Sequence, residues 1–198
     1  MTPRKNPDKK KIICIGTSTG GPRALQVVLS QLPKELDATI VIVQHMPPKF
    51  TKSLADRLNT ICDIEVKEAE DGESLKEGTA YIAPGGRHMT IVQTGGRAKV
   101  KILDSPTVNG HRPSVDVLFN SIHNLSNFDK IAVIMTGMGA DGAAGLVELK
   151  KESSVYAIAE SKETCIVYGM PNAAIATNQV DSIAKLDDIA ETILKYIR

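Results

Sequence analysis

Little in this 198-residue chain suits it to a membrane, an oxidising compartment or a polyanionic partner. Its longest apolar runs, around Ile40–Val43 and Ile131–Met135, fall far short of the roughly 20 residues that a bilayer-spanning helix needs, so no membrane insertion is expected. Cysteine is scarce. Cys14, Cys62 and Cys165 form an odd, scattered set, without the close pairing of a zinc site or the even count of a disulfide framework, and they read as small apolar residues. No metal is therefore expected. The N-terminus lacks the apolar core of a secretory signal, which together with the cysteine usage points to the reducing cytoplasm. Charge of one sign is also missing. With 24 Lys and Arg against 23 Asp and Glu the net charge is +1, so no global field argues for nucleic acid as a partner.

What is present is enough for one domain with a substantial core, since 42% of the residues are hydrophobic and the length suits a single α/β unit. Residues 1–10 hold Arg4, Lys5, Lys9 and Lys10 with two prolines and almost no apolar side chain. They read as a basic arm or linker, leaving residues 11–198 as the folded domain. From there, strand-length apolar runs alternate with helix-period segments, the pattern of a doubly wound, mostly parallel sheet with helices on both faces. Ile12–Ile15, Thr39–Val43, Ile131–Met135 and Val155–Ala159 read as strands. Helices are expected from Pro22, with Leu25, Val28, Leu29 and Leu32 on one face, then over 51–60, 114–125, after Asp141, and over 187–196. The middle differs. Ile64–Lys67, Thr79–Ala83, His88–Gln93 and Ala98–Leu103 are short alternating runs parted by glycine-rich turns, and they predict antiparallel hairpins at one edge of the sheet.

Ligands of such a sheet bind beyond the carboxyl ends of its strands, and three of those ends carry reactive residues. The first strand runs into Gly16-Thr17-Ser18-Thr19-Gly20-Gly21-Pro22, a G-x-S-x-G turn between strand and helix that would lift the Ser18 hydroxyl above the sheet. The second ends in Gln44-His45-Met46-Pro47-Pro48, supplying an imidazole able to accept the proton that a weak alcohol nucleophile must lose. A later strand ends in Thr136-Gly137-Met138-Gly139-Ala140-Asp141-Gly142, where Asp141 is placed to orient His45 and stabilise its charged form.

Each feature has an ordinary alternative when taken singly. A glycine-rich loop after a first strand often holds a phosphate, yet Gln44 and His45 stand where a dinucleotide site expects an acid, and Pro22 and Arg23 replace a Walker lysine. His45 also reads as a hydrogen-bonded structural histidine and Asp141 as a helix cap. An alcohol, an imidazole and a carboxylate on three strand ends together favour nucleophilic acyl transfer. His88 and His123 read as core or surface residues. In Asn109–Asp116, Arg112 precedes Pro113 at a helix entry capped by Ser114, where it is a candidate to lean over the site and attract acidic substrate segments.

The same motifs carry a resemblance. Residues 15–21, 44–48, 69–72, 81–85, His111-Arg112-Pro113-Ser114 through Phe119, 136–142 and Gly169-Met170-Pro171 fall in the order seen in the CheB methylesterase family, which the chain resembles over nearly all of 11–198. The resemblance implies that Ser18 is the nucleophile, His45 the general base and Asp141 the residue orienting it. It also places Thr19 beside the histidine and makes the backbone around Met138 a candidate oxyanion donor. The implied reactions are hydrolysis of glutamate γ-methyl esters on the cytoplasmic domains of chemoreceptors, with release of methanol, and deamidation of particular receptor glutamines, without a cofactor. Members of the family usually carry an N-terminal phosphoacceptor receiver domain over the catalytic face. Only the basic arm precedes the first strand here, so the resemblance implies either a catalytic domain separated from its receiver or a stand-alone form.

Overall fold

A computed structural model describes residues 9–152 and 154–197. The chain runs through β1 (Lys10–Thr17), α1 (Gly21–Leu29), β2 (Thr39–Gln44), α2 (Phe50–Asn59), β3 (Glu65–Glu68), β4 (Thr79–Ile82), β5 (His88–Thr94), β6 (Arg97–Leu103), α3 (Val115–Ile122), β7 (Phe128–Ile134), α4 (Ala143–Glu152), β8 (Val155–Glu160), α5 (Met170–Ala176), β9 (Ser182–Ala184), a short 3-10 turn at Leu186–Asp188 and α6 (Ile189–Ile197). The arm expected over 1–10 lies mostly outside the described residues, and Lys10 at its end already pairs within β1.

Seven strands form one parallel sheet in the order β3-β4-β2-β1-β7-β8-β9. The central strands are buried on both faces, which is why their sequences run apolar without alternation. Successive side chains of β1 nevertheless go to opposite layers. Ile13 and Ile15 pack with Leu25, Val28 and Leu29 of α1, Leu54 and Leu58 of α2, and Ile189 and Ile193 of α6. Ile12 and Cys14 pack with Leu118 and Phe119 of α3, Leu146 of α4 and Met170 of α5. The chain winds outward from β1 through β2, then returns to β1's other side with β7. That reversal opens a crevice at the carboxyl ends of the three neighbouring strands β2, β1 and β7.

The doubly wound sheet and an antiparallel hairpin both stand as expected, with two corrections to the middle region. β3 and β4 pair parallel to each other and join the main sheet (Glu65 opposite Thr79) rather than forming a hairpin. Alternation reports a strand but not its direction, and here the return path between them is held by β6. Gly72 and Leu75 donate backbone N–H groups to the carbonyls of Val100 and Ala98, and Val100 donates to Glu73. The true hairpin, β5–β6, is a two-stranded sheet of its own rather than an extension of an edge strand. Its Met89, Ile91 and Val100 pack with the α3 layer. Its two-residue turn, Gly95-Gly96, has φ of 57° and 76°, the left-handed backbone that a tight hairpin requires at both positions. α5 and β9 had no clear periodic signal of their own, being short.

Candidate active site

Ser18 follows β1 directly. Its backbone N–H donates to the Thr136 carbonyl at the end of β7 (3.0 Å), and its own carbonyl accepts from Gly21 (2.8 Å), closing the tight turn into α1. The Thr136 hydroxyl extends this hold: it donates to the Thr19 carbonyl (2.9 Å) and accepts from the N–H groups of Ile166 and Val167. A Cβ added to Gly137 would lie 2.8 Å from Ser18 Cβ and 2.3 Å from Met170 Sδ. Only glycine lets the β7 loop approach the serine this closely. Met170, from the Gly169-Met170-Pro171 motif, is fully buried beneath it.

His45 sits one strand over. Thr17 pairs with Gln44 in the parallel register, and His45 N–H donates to the Thr17 carbonyl (3.1 Å). Ser18 and His45 therefore leave adjacent strands side by side, at the interstrand spacing of about 4.8 Å. The His45 side chain is only 7% exposed, and its Nε2 meets Asp141 Oδ2 at 2.7 Å. Nδ1 is buried and has no hydrogen-bond partner among the described residues.

Asp141 is the most heavily supported group in the crevice. Oδ2 also accepts from Val115 N–H (2.7 Å), while Oδ1 accepts from the Ser114 hydroxyl (2.8 Å), Asn109 Nδ2 (3.0 Å) and Asp116 N–H (3.3 Å). The N-terminus of α3 is thus aimed at this carboxylate, and both its free N–H groups and its dipole favour negative charge there. Burial by itself pushes the carboxyl pKa up, but the bonds from His45, Val115, Asn109 and Ser114 outweigh it and hold the group down at about 2. Asp141 is ionised at neutral pH. With a charged acceptor at Nε2, that nitrogen carries the proton and Nδ1 presents its lone pair.

The arrangement is reciprocal. Asp116, in the first turn of α3, accepts from Gly142 (2.9 Å) and Gly145 (2.6 Å) at the start of α4. Each helix start thus receives a carboxylate from the other's chain segment. Asn109 Nδ2 joins the two acids, 2.7 Å from Asp116 and 3.0 Å from Asp141. His88, read from sequence as a filler, is buried and accepts the Ser114 N–H at Nδ1 (3.2 Å), steadying the α3 entry.

Other expected residues lie as follows. Arg112 bonds Asp104 (2.9 Å) and the Ser105 carbonyl (2.8 Å), so its guanidinium is tied to its own loop. Thr19 is exposed, and its bond in the site is through its carbonyl. Met138 is 67% exposed on the β7 loop. The N–H of its neighbour Gly137 is committed to the Val167 carbonyl (3.0 Å). Among the described residues no set of His, Cys, Asp or Glu side chains could hold a metal ion, and no helix is long and apolar enough to cross a membrane. Sequence reasoning missed the support given by Thr136, Asn109 and Asp116. An acid in the first turn after a Ser cap was a visible helix-start signal, but nothing local said which helix it would serve.

These contacts define a class: a doubly wound α/β domain with serine, imidazole and carboxylate on three neighbouring strand ends, an arrangement suited to acyl transfer. The chain belongs to the CheB methylesterase family, whose profile, described as CheB methylesterase, matches residues 13–193. The catalytic domain of the CheB methylesterase of Thermotoga maritima, known from its crystal structure, superposes with a TM-score of 0.90 at 44% identity, covering 93% of this chain and 97% of that one. A Geobacillus kaustophilus protein named protein-glutamate methylesterase/protein-glutamine glutaminase is 56% identical over 189 residues, 96% of this chain and 54% of the relative. A Bacillus subtilis protein of the same name is 50% identical over 189 residues, 96% of this chain and 53% of the relative. The chain thus spans about half the length of these relatives.

Proposed function

We propose that this domain hydrolyses γ-methyl esters of glutamyl side chains on chemoreceptor cytoplasmic domains, and deamidates particular glutamines there, by a covalent serine mechanism. The state of His45 carries the reading. Its Nε2 is engaged by an ionised, buried Asp141 at 2.7 Å, while Nδ1 is buried and has no partner among the described residues, and His45 directly follows the strand beside the one that Ser18 follows. An imidazole held this way is a base looking for one proton.

Ser18 Oγ attacks the ester carbonyl carbon and its proton passes to His45 Nδ1. Asp141 stabilises the imidazolium through Nε2. The carbonyl oxygen takes up negative charge, for which the backbone N–H of Met138 is the candidate donor, since the neighbouring Gly137 N–H is already engaged. Collapse of the tetrahedral species breaks the bond to the methoxy oxygen, which takes the proton from Nδ1 and leaves as methanol. Water then attacks the glutamyl-serine ester, giving its proton to Nδ1. Cleavage of the Oγ–carbon bond, with the proton passing from Nδ1 to the leaving Oγ, restores Ser18 and neutral His45 and frees the glutamic acid side chain, which ionises to solvent. With a glutamine substrate the leaving group is ammonia and the remaining steps are the same.

The relatives' additional length leaves room for the receiver domain that the family resemblance implies, which would control access to the crevice. The free cysteines suit the reducing cytoplasm, where receptor methylation sites are exposed. Ser18→Ala tests the nucleophile. Methanol release from methylated receptor membranes should fall to background while circular dichroism and the thermal midpoint stay those of the wild type. Retention of most of the release would remove Ser18 from the role.

A further inference from the structure

His45 has two edges and two faces. Both edges serve the proposed proton transfer, Nε2 bonded to Asp141 and Nδ1 left to accept from Ser18, and the faces are free to meet other groups. One face is covered by a second imidazole: His111 stacks on His45 with ring centroids 3.7 Å apart and planes 6° from parallel. That is van der Waals contact across the whole ring.

The segment that delivers His111 is built to hold it there. Val108 and His111 exchange backbone hydrogen bonds, N–H to carbonyl at 3.0 and 2.9 Å. The two residues between them, Asn109 and Gly110, have φ of 53° and 77°, giving a tight left-handed turn of the kind that asparagine and glycine tolerate. The same turn sends the Asn109 amide onto Asp141 and Asp116. One short turn therefore contacts the carboxylate with one residue and the imidazole with another, and ties their relative placement together.

The stack has a mechanical and an electrostatic consequence. The histidine χ2 torsion is soft, and a single bond from Nε2 to Asp141 leaves the ring free to swing about that contact. A flat ring at 3.7 Å blocks the swing, since any rotation drives the edge of His45 into His111. When His45 carries the proton from the serine, a neutral aromatic face beside it favours the cation. His111 meets that condition. Burial first, and then the neighbouring His45, lower its pKa, with Asp141 acting in the opposite sense, so its ring is neutral at neutral pH.

We propose that His111 is a positioning residue of this site, whose ring, stacked on His45, fixes the plane of the general base and supports the imidazolium formed as Ser18 loses its proton. The proposal rests on the assignment of Ser18, His45 and Asp141 above. It is tested with His111→Phe, His111→Leu and His111→Ala, alongside Ser18→Ala, by steady-state methanol release from methylated receptor membranes. Phenylalanine keeps a flat face and should hold kcat within about threefold of wild type, whereas leucine and alanine should lower kcat by about fivefold to thirtyfold with KM changed less than twofold. Thermal midpoints and circular dichroism identify the folded variants. A kcat within twofold of wild type in a folded leucine or alanine variant would overturn the proposal. So would equal losses in the phenylalanine and leucine variants, or an effect confined to KM. Failure of both non-aromatic variants to fold would also overturn it, because the ring would then be structural. Activity surviving in Ser18→Ala would instead strike the underlying assignment, whatever the His111 variants do.

Discussion

Replacing Asp141 by asparagine removes one charge and almost no volume, so the structure allows its effects to be worked through. Five donors converge on the carboxylate: His45 Nε2 and Val115 N–H on Oδ2, and the Ser114 hydroxyl, Asn109 Nδ2 and Asp116 N–H on Oδ1. An amide offers one oxygen. If its nitrogen takes the Oδ2 place, it faces the Val115 N–H donor to donor, and His45 must turn its tautomer so that Nε2 accepts. Nδ1 then bears the proton and can no longer take one from Ser18. If the nitrogen takes the Oδ1 place, the Ser114 hydroxyl can rotate to accept and Asn109 keeps its bond to Asp116, but the Asp116 N–H loses its acceptor. Either way a buried donor is left unmet, at about 1–3 kcal/mol.

The charge acts through these same bonds, not in addition to them. A carboxyl held at about 2 against an ordinary value of 3.8 corresponds to about 2 kcal/mol of folding stability above the unfolded pKa. Because the folded pKa is the lower one, this contribution is complete at neutral pH and is lost as pH falls from about 4 through about 2. Asp141→Asn should therefore reduce kcat for methanol release by about 10³–10⁴-fold. It should lower urea-unfolding stability at pH 7 by about 2–3 kcal/mol, and the stability gap to wild type should narrow when the titration is repeated near pH 3. A variant with activity within tenfold of wild type, or with a stability gap independent of pH over that range, would refute the reasoning.

Two further outcomes follow from the serine turn. Gly137→Ala would place a methyl 2.8 Å from Ser18 Cβ and 2.3 Å from Met170 Sδ; a displacement of the Ser18 hydroxyl approaching 1 Å lowers kcat about a hundredfold, and an unchanged kcat would show that Met170 alone yields. Thr136→Val removes the hydroxyl that donates to the Thr19 carbonyl and accepts the N–H groups of Ile166 and Val167. A loss of about 1–3 kcal/mol in urea unfolding is expected, with a fall in kcat larger than any change in KM; wild-type values of both would show that the turn holds its shape without this hydroxyl.

Much of the domain could be read along the chain because local pattern and burial coincide there. The apolar runs at 12–15, 39–43 and 131–135 are the cores of β1, β2 and β7. A sheet wound both ways must put the residues that follow such strands at one rim, so Ser18, His45 and Asp141 were identifiable as neighbours before any coordinates. Strand direction in 64–82 was not, because alternating side chains are the same for parallel and antiparallel partners, and the deciding contacts lie on β6. For Arg112 the sequence could show a basic residue at a helix entry but not its partners, Asp104 and the Ser105 carbonyl, which lie eight and seven positions earlier.

The order of reactive residues along the chain, and the glycines that let the backbone turn around them, belong to the sequence by itself, because they depend on residue type and short-range geometry. The tertiary structure alone decided which nitrogen of His45 meets the carboxylate, that α3 and α4 exchange carboxylates at their starts, and that His111 lies flat on His45. Those outcomes depend on groups brought together from tens of residues apart, His45 and Asp141 being 96 positions distant. Their energies come from burial and hydrogen-bond direction, which no local pattern encodes.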